Sequence, residues 1–224
     1  MPDKKIYLTG LELVAKIVVQ NERDFSYIKL EEGFDFSKDK EILRTLKAYL
    51  RRHNGFNHDS LDIRNSEFRH VNFDLGGAIL NHVQADKTDF YGSIFTQCYF
   101  SHSQFRNAIF DDIQIKVNTS TNYHVIFSRC DFNSATFRRA YLQKGQFMGS
   151  SFQHATVDYV QLAQANFGGA DFCNVQGLET TIGLGQIQIG GMQGGRIKVN
   201  ERERRIIERA KCKEMFEVMN FGSN

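Results

Sequence analysis

The chain has 224 residues, enough for one domain with a sizeable core and short appendages, and its 28 basic side chains face 26 acidic ones. That balance holds in every segment (11 basic and 9 acidic in 1–55, 11 and 12 in 56–199, 6 and 5 in 200–224), which argues against nucleic acid as a partner and against polyanion mimicry. No stretch approaches the roughly 18 consecutive apolar residues of a membrane span, and Met1-Pro2-Asp3-Lys4-Lys5 does not open a signal peptide, so a cytoplasmic protein is expected.

Residues 1–55 form an N-terminal helical cap region. Thr9-Gly10-Leu11-Glu12 is a capping-box signature that predicts a short helix to about Gln20. Glu22-Arg23-Asp24-Phe25 and Ile28-Lys29-Leu30 read as a first imperfect coil. Ser37 is expected to cap a second helix over 38–52 that buries Ile42, Leu43, Leu46, Tyr49 and Leu50. Its row of Lys40, Arg44, Lys47 and Arg51 is either a solvated face or a basic stripe.

Residues 56–177 repeat every five positions. Large apolar residues occupy Ile63, Phe68 and Phe73, then every fifth position from Leu80 to Ile115 except Ala85, and every fifth position from Phe127 to Phe172. Of the 20 phenylalanines, 14 fall in this register. Two residues before each centre lies a small or β-branched residue, and Asn or Asp often stands just before the centre. Neither a helix nor an ordinary strand has this period. A short extended step followed by a turn does, and four such steps return the chain above itself, with coils stacked about 4.8 Å apart. The register slips by two residues between Phe73 and Leu80. It slips again between Ile115 and Phe127, where a degenerate centre is expected at Asn122. The polar stretch from Lys116 to His124, with Tyr123, predicts an outward loop, either a tolerated insertion or a partner contact.

Residues 178–224 comprise a glycine-rich extension and a C-terminal helix. Ile182, Ile187, Met192 and Ile197 continue the register, yet 186–189 and 196–199 equally suit a hairpin. Asn200 with Glu203 caps a helix through about Met219. Met215, Phe216 and Met219 on that helix offer a face for homodimerisation.

The cysteines at 98, 130, 173 and 212 show no paired metal spacing and are expected to be free thiols. By the step count, Cys98 and Cys130 lie six steps apart, on opposite sides. His82, His102 and His124, each two residues past a centre, are expected to stack on one face, with Lys144 next in the column. Stacked cations repel, so these histidines should resist protonation. A polar ladder without a metal is the reading adopted, and no cofactor is expected.

Ala135-Thr136-Phe137-Arg138-Arg139, Ala165-Asn166-Phe167-Gly168-Gly169 and Ala170-Asp171-Phe172-Cys173-Asn174 resemble the A-[D/N]-L/F-x-x pattern of the pentapeptide-repeat family. The helix-then-Arg-Asp-Phe opening is similar to that of many cyanobacterial members. The resemblance implies an all-β solenoid: a right-handed quadrilateral β-helix, here of about five or six coils, with short α-helical caps at both termini. It also implies no enzymatic activity. One group in the family mimics DNA and binds type II topoisomerases such as gyrase through a strongly acidic surface; the balanced charge here disfavours that role. The sequence therefore points to a scaffold for protein–protein interaction with an unknown protein partner.

Overall fold

In the computed structural model, residues 5–52, 61–117, 124–189 and 197–221 are described, with side chains described as far as Lys211. Strand β1 (Ile6–Leu8) and helix α1 (Gly10–Val18) open the chain. Strand β2 (Ile28–Leu30) pairs in parallel with β1 and leads to helix α2 (Lys40–Arg52). Thr9 caps α1 through its hydroxyl, and the Glu12 carboxylate accepts the Thr9 N–H at 2.8 Å. Helix α2 starts two residues later than expected. The Asp39 carboxylate, not Ser37, accepts the Glu41 and Ile42 N–H groups, while the Ser37 hydroxyl donates to Asp35.

Strands β3 (Asn72–Ile79), β4 (Ile94–Tyr99) and β5 (Gln114–Lys116) form a parallel sheet in that order. Beyond these strands, parallel bridges fall into four columns. Side A runs Asp24, Asp62, Gln84, Gln104, Asp131, Ser151, Asp171, Lys198; side B runs Lys29, Glu67, Asp89, Ile109, Thr136, Thr156, Gln176. Side C runs Asp35, Asn72, Ile94, Gln114, Tyr141, Gln161, Ile182, and side D runs Ile79, Tyr99, Ile126, Gln146, Asn166, Gln188. Up to residue 171, each column member is the outward residue just before a centre. The path is that of a β-helical solenoid.

The core is built from the centres. Phe105, Phe132, Phe152 and Phe172 stack behind side A at 4.9–5.1 Å between ring centroids, and Phe90, Phe110 and Phe137 behind side B at 5.0 Å. Phe100, Phe127, Phe147 and Phe167 stack behind side D. Phe90, Phe95, Phe100, Phe105, Phe110, Phe127, Phe132 and Phe137 are all buried. Stacked and edge-on rings at these distances add to the burial of their apolar area.

Two polar devices hold the corners. The Asn or Asp before a centre accepts the N–H two residues on, as Asp89 does from Tyr91, Asp131 from Asn133 and Asp171 from Cys173, which closes an Asx turn. The second turn residue then adopts a left-handed conformation; His82, Lys87, His102, Arg129, Arg139, Lys144 and Tyr159 all have φ between 53° and 61°. Inward serines link successive coils. The Ser93 hydroxyl donates to the Phe68 carbonyl and accepts from Val71 N–H, and Ser150 does the same with Phe127 and Cys130.

Both register slips and the tail have structural outcomes. The first slip is a bulge between Asp74 and Ala78, where Leu75 is buried and Gly76 and Gly77 take positive φ. At the second, Phe127 stacks directly on Phe100 (5.3 Å, 8°), so the coil between them holds only the centres 105, 110 and 115. No further centre is spent at Asn122, which lies outside the described residues. Cys98 and Cys130 are therefore five steps apart and sit behind adjacent sides D and A, not opposite ones. Past Gly177, 3-10 turns at Leu178–Thr180 and Leu184–Gln186 precede Ile182 and Gln188, which join columns C and D. Ile182 faces outward, contrary to the register, because these turns add residues at the corners; Ile187 is buried. Helix α3 (Glu201–Phe221) follows, with Asn200 and Glu203 forming its cap.

Candidate interaction surface

The interior leaves little room for a ligand. Among the described residues its void is an apolar space of about 50 Å³ under α1 and α2, lined by Leu13, Ile17, Leu46, Phe68 and Leu80 among others. Two larger hollows are open grooves outside the core: one of about 680 Å³ between α3 and the 3-10 turns, and one of about 610 Å³ between α1 and α2. Both lie at the ends of the solenoid. Among the described residues no three His, Cys, Asp or Glu side chains gather to hold a metal ion.

The outer sides are ladders of side chains. Gln143 donates to Gln161 at 2.7 Å, and Asn166 to Gln146 at 3.1 Å. On sides A and B, carboxylates are tied to arginines: Arg106 with Asp86 at 2.8 Å, Arg139 with Asp112 at 2.6 Å, and Arg69 with Asp89 at 3.2 Å. The Arg139 guanidinium, hydrogen-bonded to Asp112, holds that carboxyl below its ordinary range.

His82 and His102 stand at the corner after side D, rings stacked at 5.3 Å and 17°. His124 does not join them. Its place in the column is taken by Arg129, because His102 N–H bonds the Ser128 carbonyl and Arg129 shares the left-handed corner conformation. Lys144 belongs to the corner after side C. Desolvation first, then the charges of His82 and Arg129, push the His102 pKa down.

Lys116 and His124 are exposed and flank the second insertion; Tyr123 lies outside the described residues. The side chains of Met215, Phe216 and Met219, and Cys212, also lie outside them, although α3 runs through these positions. Cys98 and Cys130 are buried and Cys173 is partly exposed; all three are free. Burial pushes the Cys130 thiol up to about 12 and that of Cys98 well above its usual value. The basic row of α2 is exposed at Lys40, Arg44 and Arg51, while Lys47 Nζ lies against Gly76 of β3, 2.7 Å from where a Cβ would stand. The Asx turns, the left-handed corners and the segregation of charge by side escaped the sequence reading. Only the Asn or Asp before the centre gave a signal for any of them. No helix among the described residues is long and apolar enough to cross a membrane.

Residues 74–112 and 123–155 match the model of pentapeptide repeats, in eight copies. No curated protein resembles the chain closely enough in sequence to count as a match. Among solved structures, the chain is similar to a trypsin-treated form of QnrB1, a plasmid-mediated fluoroquinolone resistance protein, at 14% identity and TM-score 0.41, over 92% of this chain and 96% of that one. It is also similar to HetL, a pentapeptide repeat protein involved in heterocyst differentiation regulation from the cyanobacterium Nostoc, at 15% identity and TM-score 0.26, over 85% and 91% of the two chains. A third is the pentapeptide repeat protein Rfr23 from the cyanobacterium Cyanothece, at 13% identity and TM-score 0.20, over 70% and 96%. With eight repeat copies matched over residues 74–112 and 123–155 and the five-residue register carried into four bridged columns, this part of the chain consists of pentapeptide repeats.

Proposed function

We propose that the protein is a non-enzymatic scaffold for protein–protein interaction in the cytoplasm, built as a right-handed quadrilateral β-helix of about five or six coils in its repeat region. What supports the reading above all is the filled interior. Phenylalanine stacks occupy the space in which an enzyme of this size would place a substrate cleft of several hundred Å³. Function then falls to the outer sides, and the insertion flanked by Lys116 and His124, with Tyr123, is a partner-contact loop in this reading. A second copy pairing through Met215, Phe216 and Met219 of α3 is the further partner proposed.

DNA mimicry is the weaker reading. Of the seven carboxylates on sides A and B between residues 80 and 175, five have an arginine within 4.0 Å, whereas a mimic needs an open row of negative charge. Crosslinking in the native host followed by affinity purification of the tagged chain tests the scaffold reading. A specific protein recovered in near-stoichiometric amount is expected; recovery of the chain alone overturns it.

A further inference from the structure

The even charge of the sequence conceals a division between sides. Between residues 80 and 175 there are seven carboxylates and seven Lys or Arg side chains. Counting each corner with the side it ends, Asp86, Asp131 and Asp171 belong to side A, and Asp89, Asp111, Asp112 and Asp158 to side B. Lys87, Arg106, Arg138 and Arg139 accompany them, so these two sides carry three more acids than bases. Sides C and D carry no carboxylate in this span. They carry Lys116 and Lys144 at the corner after C, and Arg129 at the corner after D, beside His102. The split is three negative against three positive charges on a repeat region that is neutral as a whole.

The cations of sides C and D are also unspent. Arg106, Arg138 and Arg139 pair with Asp86, Asp111 and Asp112, but among the described residues Lys116, Arg129 and Lys144 have no carboxylate within 4.0 Å. All three are exposed. Around them stand Ile94, Gln114, Ile126, Gln146 and the exposed Tyr141, apolar and amide groups of the kind found between charges in protein interfaces. At the N-terminal end of the same sides, α2 packs on β3 with Lys47 against Gly76, and Asp74 in the β3 bulge marks where the carboxylate-free stretch begins.

We infer that sides C and D form a docking surface for an acidic protein segment, with Lys116, Arg129 and Lys144 as its charge contacts and Tyr141 as its aromatic anchor. The inference rests on the scaffold reading and names the chemistry of the partner. Charge complementarity favours an anionic occupant, because three cations without an ion-pair partner, on a stretch of these sides that holds no carboxylate between residues 80 and 175, attract it and repel basic ones. The interleaved Tyr and Ile side chains favour protein over nucleic acid. A nucleic-acid groove would carry denser basic charge, since its affinity comes mostly from phosphate neutralisation.

Fluorescently labelled poly-L-glutamate, a 20-base-pair DNA duplex and the full-length chain supply the test, by anisotropy at 50 mM and 300 mM salt. Wild-type protein should bind polyglutamate at low salt and weaken on raising it, as screened contacts do. The triple variant K116E/R129E/K144E should lose at least about tenfold in affinity, the neutral K116Q/R129Q/K144Q an intermediate amount, and Lys87→Glu on side A much less. Circular dichroism checks that each variant folds, and the neutral variant decides if the reversal does not. Absence of polyglutamate binding at 50 mM salt, equal binding by the neutral variant, or tighter binding of the duplex than of polyglutamate would each overturn the inference. Light scattering that shows self-association lost in the same variants would overturn it too, since sides A and B of a second copy would then be the occupant. None of these outcomes touches the scaffold reading, which the co-purification experiment tests on its own.

Discussion

Replacing Phe132 by Ala probes the stack at its most enclosed point. The ring is 0% exposed, lies between Phe105 (5.1 Å, 7°) and Phe152 (4.9 Å, 20°), and meets Phe110, Phe127 and Phe137 edge-on at 5.4–5.6 Å. Core Phe→Ala changes cost about 3–5 kcal/mol, with the spread set by how far the site can collapse. Collapse is restricted here, because Phe132 N–H bonds the Ser151 carbonyl and Phe105 N–H the Asp131 carbonyl, fixing the coil spacing above and below. Two lost stacking partners add to the transfer cost, at about 0.5–1.5 kcal/mol per aromatic pair. The expected loss is therefore near the upper end, about 4–5 kcal/mol, or a melting point lower by about 10–15 °C for a chain of this size. Guanidinium and thermal unfolding followed by circular dichroism measure it, with Phe132→Leu as a control that keeps most of the volume and costs about 1–1.5 kcal/mol. If Phe132→Ala costs less than about 2 kcal/mol, or no more than the Leu variant, the stack is not the source of stability and the packing argument fails.

Three further outcomes follow from the corners and the thiols. Tyr159 is 61% exposed with φ 53°, so Tyr159→Gly should relieve left-handed strain and gain a net of about 0.5–1 kcal/mol; an unfolding midpoint that falls instead would contradict the corner assignment. His102 has a pKa lowered in the fold by desolvation and by His82 and Arg129, so the unfolded chain binds the proton more readily. Stability from this group is complete above about pH 6.5 and is lost as pH falls through that value, and His102→Asn should flatten the slope of unfolding free energy against pH between about 5 and 7. Cys98 and Cys130 are buried and should stay unmodified when native protein is treated with iodoacetamide and mapped by mass spectrometry, while the partly exposed Cys173, its thiol also pushed up by desolvation and Asp171, reacts slowly; early labelling of Cys130 would contradict its burial.

The five-residue period was legible because every centre sees the same surroundings, so one residue type recurs. Phe132 and Phe152 announce the solenoid in a way that a single core residue of an irregular fold does not. The step count across Lys116–His124 was not legible. An insertion at a corner leaves the columns in place whatever its length, and composition cannot tell seven extra residues from one added step. The same blindness misplaced His124 and Lys144. Asp39 displaced Ser37 as the α2 cap because Ser37 donates its hydroxyl to Asp35 in the preceding Asx turn. The division of charge escaped for a different reason. Successive pentapeptides face different sides, so any contiguous window of twenty residues averages all four, and only the bridge columns separate Asp131 from Lys144.

The bridge spacing has a consequence for how such a chain can change. Gln84 pairs with Gln104 twenty residues on, Asp62 with Gln84 after 22, Gln104 with Asp131 after 27, and Asn166 with Gln188 after 22. Coils of unequal length thus close onto identical columns, because each corner is fixed locally by its own turn and by hydrogen bonds to the coil beneath. Insertions at a corner are absorbed there, as a hinge-free graft that no neighbouring coil has to accommodate. Recognition loops can therefore be gained, lengthened or exchanged one corner at a time without renegotiating the core, and a foreign segment placed between Val117 and His124 should leave the Phe100–Phe127 contact intact.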